Sequence, residues 1–185
     1  MSRCIVVTGG PGSGKTSLIE ALSARGHASV PEAALLIIEE LNAALGVEEQ
    51  KRWRRAHVAE FQTLVAYKQL ELQTRAPREG VVFFDRGLHD GLAYCEHFGL
   101  PTPALLEELG KHARYDAVLL LDTLTSFQDR GSSGRTSDRA ASLAIAERLE
   151  ATYRAAGFEP LRLPELALEA RVQRALELLG LERAS

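Results

Sequence analysis

The chain is poor in cysteine and has no strong charge of either sign. Cys4 and Cys95 are its two cysteines, too few and too far apart in sequence for a disulfide scaffold or a metal knuckle. A chain of this kind is expected in a reducing, cytoplasmic setting, with both cysteines as core residues. His27, His57, His89, His97 and His112 do not fall at the spacing of a metal motif such as H-E-x-x-H. The net charge is −3, which supplies no chain-wide positive field for a polyanion, so nucleic acid is not an expected partner. No apolar run approaches the ~20 residues of a membrane helix, and the first residues lack the basic start and apolar stretch of an export signal. Neither a membrane partner nor export is expected.

The chain does contain short aliphatic runs alternating with longer stretches rich in Ala, Leu, Glu and Arg. The runs Cys4 to Thr8, Ala28 to Val30, Val81 to Asp85, Ala117 to Leu121 and Glu159 to Leu163 read as strands. The stretches Lys15 to Arg25, Glu32 to Leu45, Glu48 to Arg75, Leu88 to His97, Pro103 to His112, Arg139 to Ala156 and Glu165 to Leu179 read as helices. Strand–helix alternation predicts an α/β fold, a doubly wound five-stranded parallel sheet with helices on both faces, because each parallel connection needs a crossover long enough for a helix. No repeat or linker divides residues 1–185, so one domain is expected. The polar, Gly- and Ser-rich segment at about 125–138, which carries Arg130 and Arg135, reads as a mobile lid, a type of loop that excludes water from a site on closing.

Gly9-Gly10-Pro11-Gly12-Ser13-Gly14-Lys15-Thr16 matches G-x-x-x-x-G-K-[ST], and it stands after a strand and before a helix, as the motif requires. Glycines let backbone N–H groups converge on phosphate oxygens, and the helix start, running on through Ser17, adds its dipole. Lys15 would reach the β and γ phosphates of ATP, and the Thr16 hydroxyl would ligate Mg²⁺. Val81 to Phe84 lead into Asp85, which places that carboxylate at the sheet's carboxyl edge, able to orient Mg²⁺ or its water. Asp122 follows a similar run and reads as a residue that caps or positions the lid. The basic cluster Lys51, Arg52, Arg54 and Arg55 around Trp53 reads as a solvent-facing helix surface. Neither D-x-x-G nor [NT]-K-x-D occurs, which argues against a GTPase, and L-S-G-G-Q of the ABC type is also lacking.

Three further strings join the phosphate loop: Val30-Pro31-Glu32, Phe61-Gln62-Thr63 and Asp85-Arg86-Gly87. Together they resemble the nucleoside and nucleotide kinase-like P-loop proteins, and the deoxynucleoside kinases in particular. Over nearly its full length the chain also resembles small bacterial proteins described as AAA-type ATPases or kinases, and the ribosylnicotinamide kinase domain. The resemblance implies that Glu32 is the general base, that Phe61 and Gln62 bind the acceptor's ring, and that Arg86 holds an acceptor oxygen, while Phe61, Leu64 and Val65 also read as a core stripe at helical spacing. Ala33 stands where the deoxynucleoside kinases have proline, and Asp85 where they have glutamate. Asp90 and Tyr94, four residues apart, could face the same pocket, although a helix cap explains Asp90 equally well. Arg130 and Arg135 would swing onto the transferring phosphoryl group.

The expected activity is therefore transfer of the γ-phosphoryl group of ATP, with Mg²⁺, to a small and nucleoside-like acceptor. A second expectation stays open, an ATP-hydrolysing switch that acts through a protein partner. A homodimer is neither required nor excluded.

Overall fold

The computed structural model describes residues 1–125 and 139–181. Five strands form one parallel sheet in the order β2-β3-β1-β4-β5. They are β1 (Arg3–Gly9), β2 (Ala28–Val30), β3 (Val81–Asp85), β4 (Ala117–Leu121) and β5 (Leu161–Leu163). Each central strand is apolar on both sides, as a sheet covered on both faces demands. Ile5, Val7, Phe83, Leu119 and Leu121 point to one face, where α1 (Lys15–Ser23) and α8 (Leu168–Leu178) cover them. Val6, Val82, Phe84, Val118 and Leu120 point to the other, under α5 (Leu88–His97) and α7 (Arg139–Ala155). The period of two in side-chain direction thus separates two cores with one strand set.

α6 (Ala104–His112) packs beside α5 and α4 (Val58–Arg75) in a third apolar cluster through Leu106, Leu88 and Ala66. A fourth joins Ile37 and Ile38 of α2 (Ala33–Leu45) to Phe61 of α4, with Trp53 of α3 (Val47–Ala56) packed on it. The sequence reads Glu48 to Arg75 as one helix, but the chain breaks at His57, where φ is −125° and ψ is 53°. The His57 ring stacks on Trp53, 5.0 Å between centroids, and its Nδ1 lies 3.0 Å from the Trp53 carbonyl oxygen. The bend lets Trp53 reach the α2–α4 cluster, so tertiary packing overrides helical continuity.

Two other boundaries shift for local reasons. α2 starts at Ala33 rather than Glu32, which takes the N-cap position with an extended backbone and no side-chain cap and turns its carboxylate to Arg86. α8 starts at Leu168 rather than Glu165, because the Glu165 carboxylate turns to accept hydrogen bonds from the N–H and hydroxyl of Thr125. Of the two cysteines, Cys95 is buried and Cys4, near the start of β1, is half-buried. The lid expected at about 125–138, with Arg130 and Arg135, lies outside the described residues apart from Thr125. No described helix is long and apolar enough to cross a membrane.

The topology fixes where a ligand can sit. The chain leaves β1 toward one face, into α1, and leaves β3 and β4 toward the other, into α5 and α7. A crevice therefore opens at the carboxyl end of β1, between loops that diverge. Leu119, fully buried beside β1, supports that edge: Leu119→Ala is expected to lower stability by about 2–5 kcal/mol, measured as a fall in the urea midpoint at unchanged slope.

Candidate active site

At the mouth of this crevice the phosphate loop runs from Gly9 to Gly14, the residue before α1, whose φ of 79° lies in the left-handed region. No side chain caps α1 and no acid occupies its first turn, so its first-turn N–H groups and the positive end of its dipole are left to an anion. Lys15 is buried and folds back on the loop. Its Nζ donates to the carbonyls of Gly9 and Gly10, both at 2.9 Å, and to Ser13 Oγ at 3.2 Å. Burial, and then the charge of Arg86, pull the Lys15 amine down to about 7, against the opposing pull of Asp85, Glu32 and Asp90. Thr16 is exposed at the helix start and Ser17 half-buried.

Two helices hold the loop from outside. Ser142, fully buried in the first turn of α7, donates from Oγ to the carbonyl of Pro11 at 2.6 Å and lies 3.1 Å from Thr123 Oγ1. A Cβ on Gly10 would stand 2.4 Å from the Ser142 carbonyl oxygen, so glycine is needed there for close approach rather than for backbone freedom. From α8, the Arg171 guanidinium donates to the Ser13 carbonyl at 2.8 Å.

Beside Lys15 lies a cluster of charged groups drawn from four elements. Arg86 directly follows β3, and its φ of 70° makes it the one described residue other than glycine with a left-handed backbone, a conformation costing on the order of 1–3 kcal/mol. Its N–H donates to the Val7 carbonyl at 3.1 Å and its own carbonyl accepts from Gln69 Nε2 at 3.4 Å. The buried guanidinium pairs through Nε with Glu32 Oε1 at 3.2 Å and through Nη1 with Asp90 Oδ1 at 3.0 Å, and it lies over the Tyr94 ring, 5.3 Å from the centroid.

Asp90 also accepts from Thr8 Oγ1 at 2.7 Å, from Tyr153 Oη at 2.7 Å and from the Gly87 N–H at 3.1 Å. Its lone pairs are thereby taken up within the fold, and it ties β1, the start of α5 and α7 together. Asp85, by contrast, is buried with Oδ1 lacking any hydrogen-bond partner among the described residues. Burial, and then the nearby Glu32 carboxylate, push its carboxyl up to about 6, with Arg86 and Lys15 opposing. An orphaned carboxylate oxygen and an exposed threonine hydroxyl form a hard, all-oxygen donor pair, and that chemistry fits Mg²⁺.

The other residues singled out in the sequence lie at varying distances from this centre. Phe61 is buried in the α2–α4 cluster with the Arg54 guanidinium over its ring. Gln62 lines a cleft of about 20 Å³ with Gln69, Gly87 and Leu106. Lys51 and Arg52 pair with Glu48 and Glu49, an arrangement typical of a solvated helix face. Asp122 contributes its backbone, the N–H to Leu163 and the carbonyl to Arg171. A larger cavity of about 390 Å³, lined by Cys4, Phe84, Leu88 and Tyr115 among others, lies toward the amino ends of the strands, away from the phosphate loop.

Sequence reading overlooks Ser142, Tyr153 and Arg171. Arg171 does leave a trace, a charged residue next to Val172 on the stripe that Ala175 and Leu179 mark as buried. Ser142 and Tyr153 leave none, because only the docking of α7 brings them to Pro11 and Asp90.

A profile of the family described as AAA domain matches residues 4–171. Among solved structures, a NadR protein in complex with NR is similar over the whole chain, at 17% identity and a TM-score of 0.67; the chain spans 54% of that protein. Deoxyadenosine kinase from M. mycoides with bound dATP is 14% identical, TM-score 0.67, over 97% of the chain and 100% of the kinase. Thymidylate kinase from Candida albicans is 12% identical, TM-score 0.59, over 97% and 91%. No curated protein matches in sequence. At these identities the likeness shows the fold, which is that of the P-loop kinases.

Two outcomes follow from the geometry. The folded chain holds the Asp85 proton up to about 6 and the unfolded chain only to the ordinary 3.8, so ionising this carboxyl costs stability as pH rises through that interval. In metal-free buffer, Asp85→Asn is expected to melt higher than the parent above pH 6, with the difference closing toward pH 4; a difference that ignores pH contradicts the assignment. Gly10→Ala is expected to lift the first turn of α7 off the loop and to lose about 1–3 kcal/mol, read by urea denaturation.

Proposed function

The chain belongs to the AAA domain family, and on that premise we propose that it is a phosphotransferase moving the γ-phosphoryl group of ATP to a hydroxyl of a small, nucleoside-like acceptor. The observation that carries this reading is the Glu32–Arg86 pair, 3.2 Å apart, with Arg86 buried and Glu32 half-buried, set next to a P-loop lysine. A carboxylate pinned by a guanidinium beside the phosphate loop has the form of an acceptor site: Glu32 takes the proton of the attacking hydroxyl, and Arg86 fixes the carboxylate and faces the acceptor. The kinase-like fold shared with deoxyadenosine kinase and with a NadR protein in complex with NR supports a nucleoside-like acceptor.

Arrival of a triphosphate would draw the Lys15 ammonium from the carbonyls of Gly9 and Gly10 onto the β and γ oxygens, where its full charge is restored. The Thr16 hydroxyl and the Asp85 carboxylate would hold Mg²⁺, which neutralises charge building on the phosphate oxygens. Backbone N–H groups from Gly12 to Thr16 would hold the phosphates in line without reorganising. Arg130 and Arg135 are proposed to complete the charge on the transferring group, and Gln62 with Tyr94 to contact the acceptor. The residues of the 125–138 segment are proposed as the lid of one domain formed by residues 1–185, acting in the cytoplasm.

The test is ADP release from Mg·ATP, alone and against a panel of nucleosides, nucleotides, ribosylnicotinamide and sugars. A large stimulation by one acceptor, with its phosphorylated product identified by mass, is expected. Slow turnover indifferent to every acceptor would replace this reading with an ATP-hydrolysing switch that works through a protein partner. Glu32→Gln is expected to keep ATP affinity and lose roughly 10²- to 10⁴-fold in transfer rate; an undiminished rate removes Glu32 as the base.

A further inference from the structure

Arg171 is 3% exposed, yet none of its three hydrogen bonds to described residues reaches a charged group. Nη1 donates to the carbonyl of Ser13 at 2.8 Å, Nε to that of Pro164 at 3.2 Å and Nη2 to that of Asp122 at 3.3 Å. These carbonyls belong to the phosphate loop, the segment after β5 and the segment after β4, so one planar fork joins three loops at the carboxyl edge. A lysine, with a single point of attachment, could not span them. Among the described residues no salt bridge involves Arg171. Burial pulls its proton affinity down, and Asp122 and Glu165 offset this only through space. Glu165 is itself engaged by Thr125.

The bond to Ser13 orients a peptide plane. No peptide of the described chain is cis, and in a trans peptide the carbonyl and the following N–H point in opposite directions. With the Ser13 carbonyl drawn toward α8, the Gly14 N–H points away from α8. Gly14 fits this arrangement closely: its φ is +79° and a Cβ there would lie 2.8 Å from Arg171 Nη1. Any larger residue would push the guanidinium off the loop.

We propose that Arg171 is a positioning residue of the nucleotide site, turning the Ser13–Gly14 peptide into its anion-binding orientation and lending the site a buried positive charge that bound polyphosphate balances. A buried cation that no carboxylate contacts is costly; none of the described residues brings a carboxylate into contact with Arg171, and bound polyphosphate would supply the counter-charge. The inference rests on the reading of Gly9 to Thr16 as a triphosphate cradle. It does not depend on the identity of the acceptor or on transfer taking place.

The full chain is titrated with Mg·ADP carrying a fluorescent ribose label. Arg171→Ala is expected to raise Kd roughly tenfold or more, the scale of one hydrogen bond to a charged group, and Arg171→Lys to fall between it and the parent. Millimolar guanidinium should restore affinity to Arg171→Ala while urea does not, and should leave the parent unchanged. A purely structural role would lower the melting temperature without this rescue. Kd values within twofold of the parent, or a loss that guanidinium does not recover, overturn the proposal. Should Arg171→Ala fail to fold, Arg171→Lys decides: affinity equal to the parent's overturns the proposal, and a severalfold loss supports it. A parent that binds Mg·ADP and transfers nothing defeats the phosphotransferase reading alone, whereas a parent that binds no nucleotide overturns this proposal as well.

Discussion

The Arg86 guanidinium, held between Glu32 and Asp90, is the contact through which the elements around the crevice meet. Glu32 follows β2, Arg86 follows β3, and Asp90 lies in α5, where it also takes the hydroxyls of Thr8 from β1 and Tyr153 from α7. All of these groups are largely out of water, so removing one partner would strand a buried charge, at a cost of about 3–5 kcal/mol. The left-handed backbone at Arg86 is affordable only because its N–H, its carbonyl and its side chain are each held by a different neighbour. Strain at this position places the guanidinium over the crevice, where a relaxed turn would send it to solvent.

The site is therefore stable in some parts and unfavourable in others. Asp90 is fully hydrogen-bonded and works as scaffold. Lys15 is held in a form that parts readily with its proton, Asp85 in a form that gains one, and Arg171 is buried with no contacting carboxylate among the described residues. Each of these three costs stability, and each cost would be relieved by a polyanion and a divalent cation at the loop. Perturbed groups concentrated in one crevice, with an ordinary core beneath them, mark where the fold has been adapted for binding.

Much of this was legible in the sequence. The five strand runs and the glycine-rich turn are local signals, since side-chain period and backbone requirements are set by neighbours along the chain. Asp85 was readable because a strand ending in a carboxylate has a defined place on a parallel sheet. The break at His57 was not readable, because no proline or glycine marks it and the cause is Trp53 seeking the α2–α4 cluster. The roles of Ser142, Tyr153 and Arg171 were hidden for a related reason: each reaches one residue 60 or more positions away, Pro11, Asp90 and Ser13 respectively, and only the docking of α7 and α8 sets those distances. Phe61 illustrates the opposite difficulty, since one string serves equally well as a ring platform and as a core stripe, and the folded chain buries it.

The most direct test of the central claim, that Gly9 to Thr16 is a triphosphate cradle, is a crystal structure of the chain with Mg²⁺ and a non-hydrolysable ATP analogue. Lys15 Nζ is expected to leave the carbonyls of Gly9 and Gly10 for the β and γ phosphates, Thr16 and Asp85 to face the metal, and Arg171 to keep its bond to Ser13. A triphosphate bound elsewhere, or Lys15 still folded onto its own loop with nucleotide present, would contradict that claim.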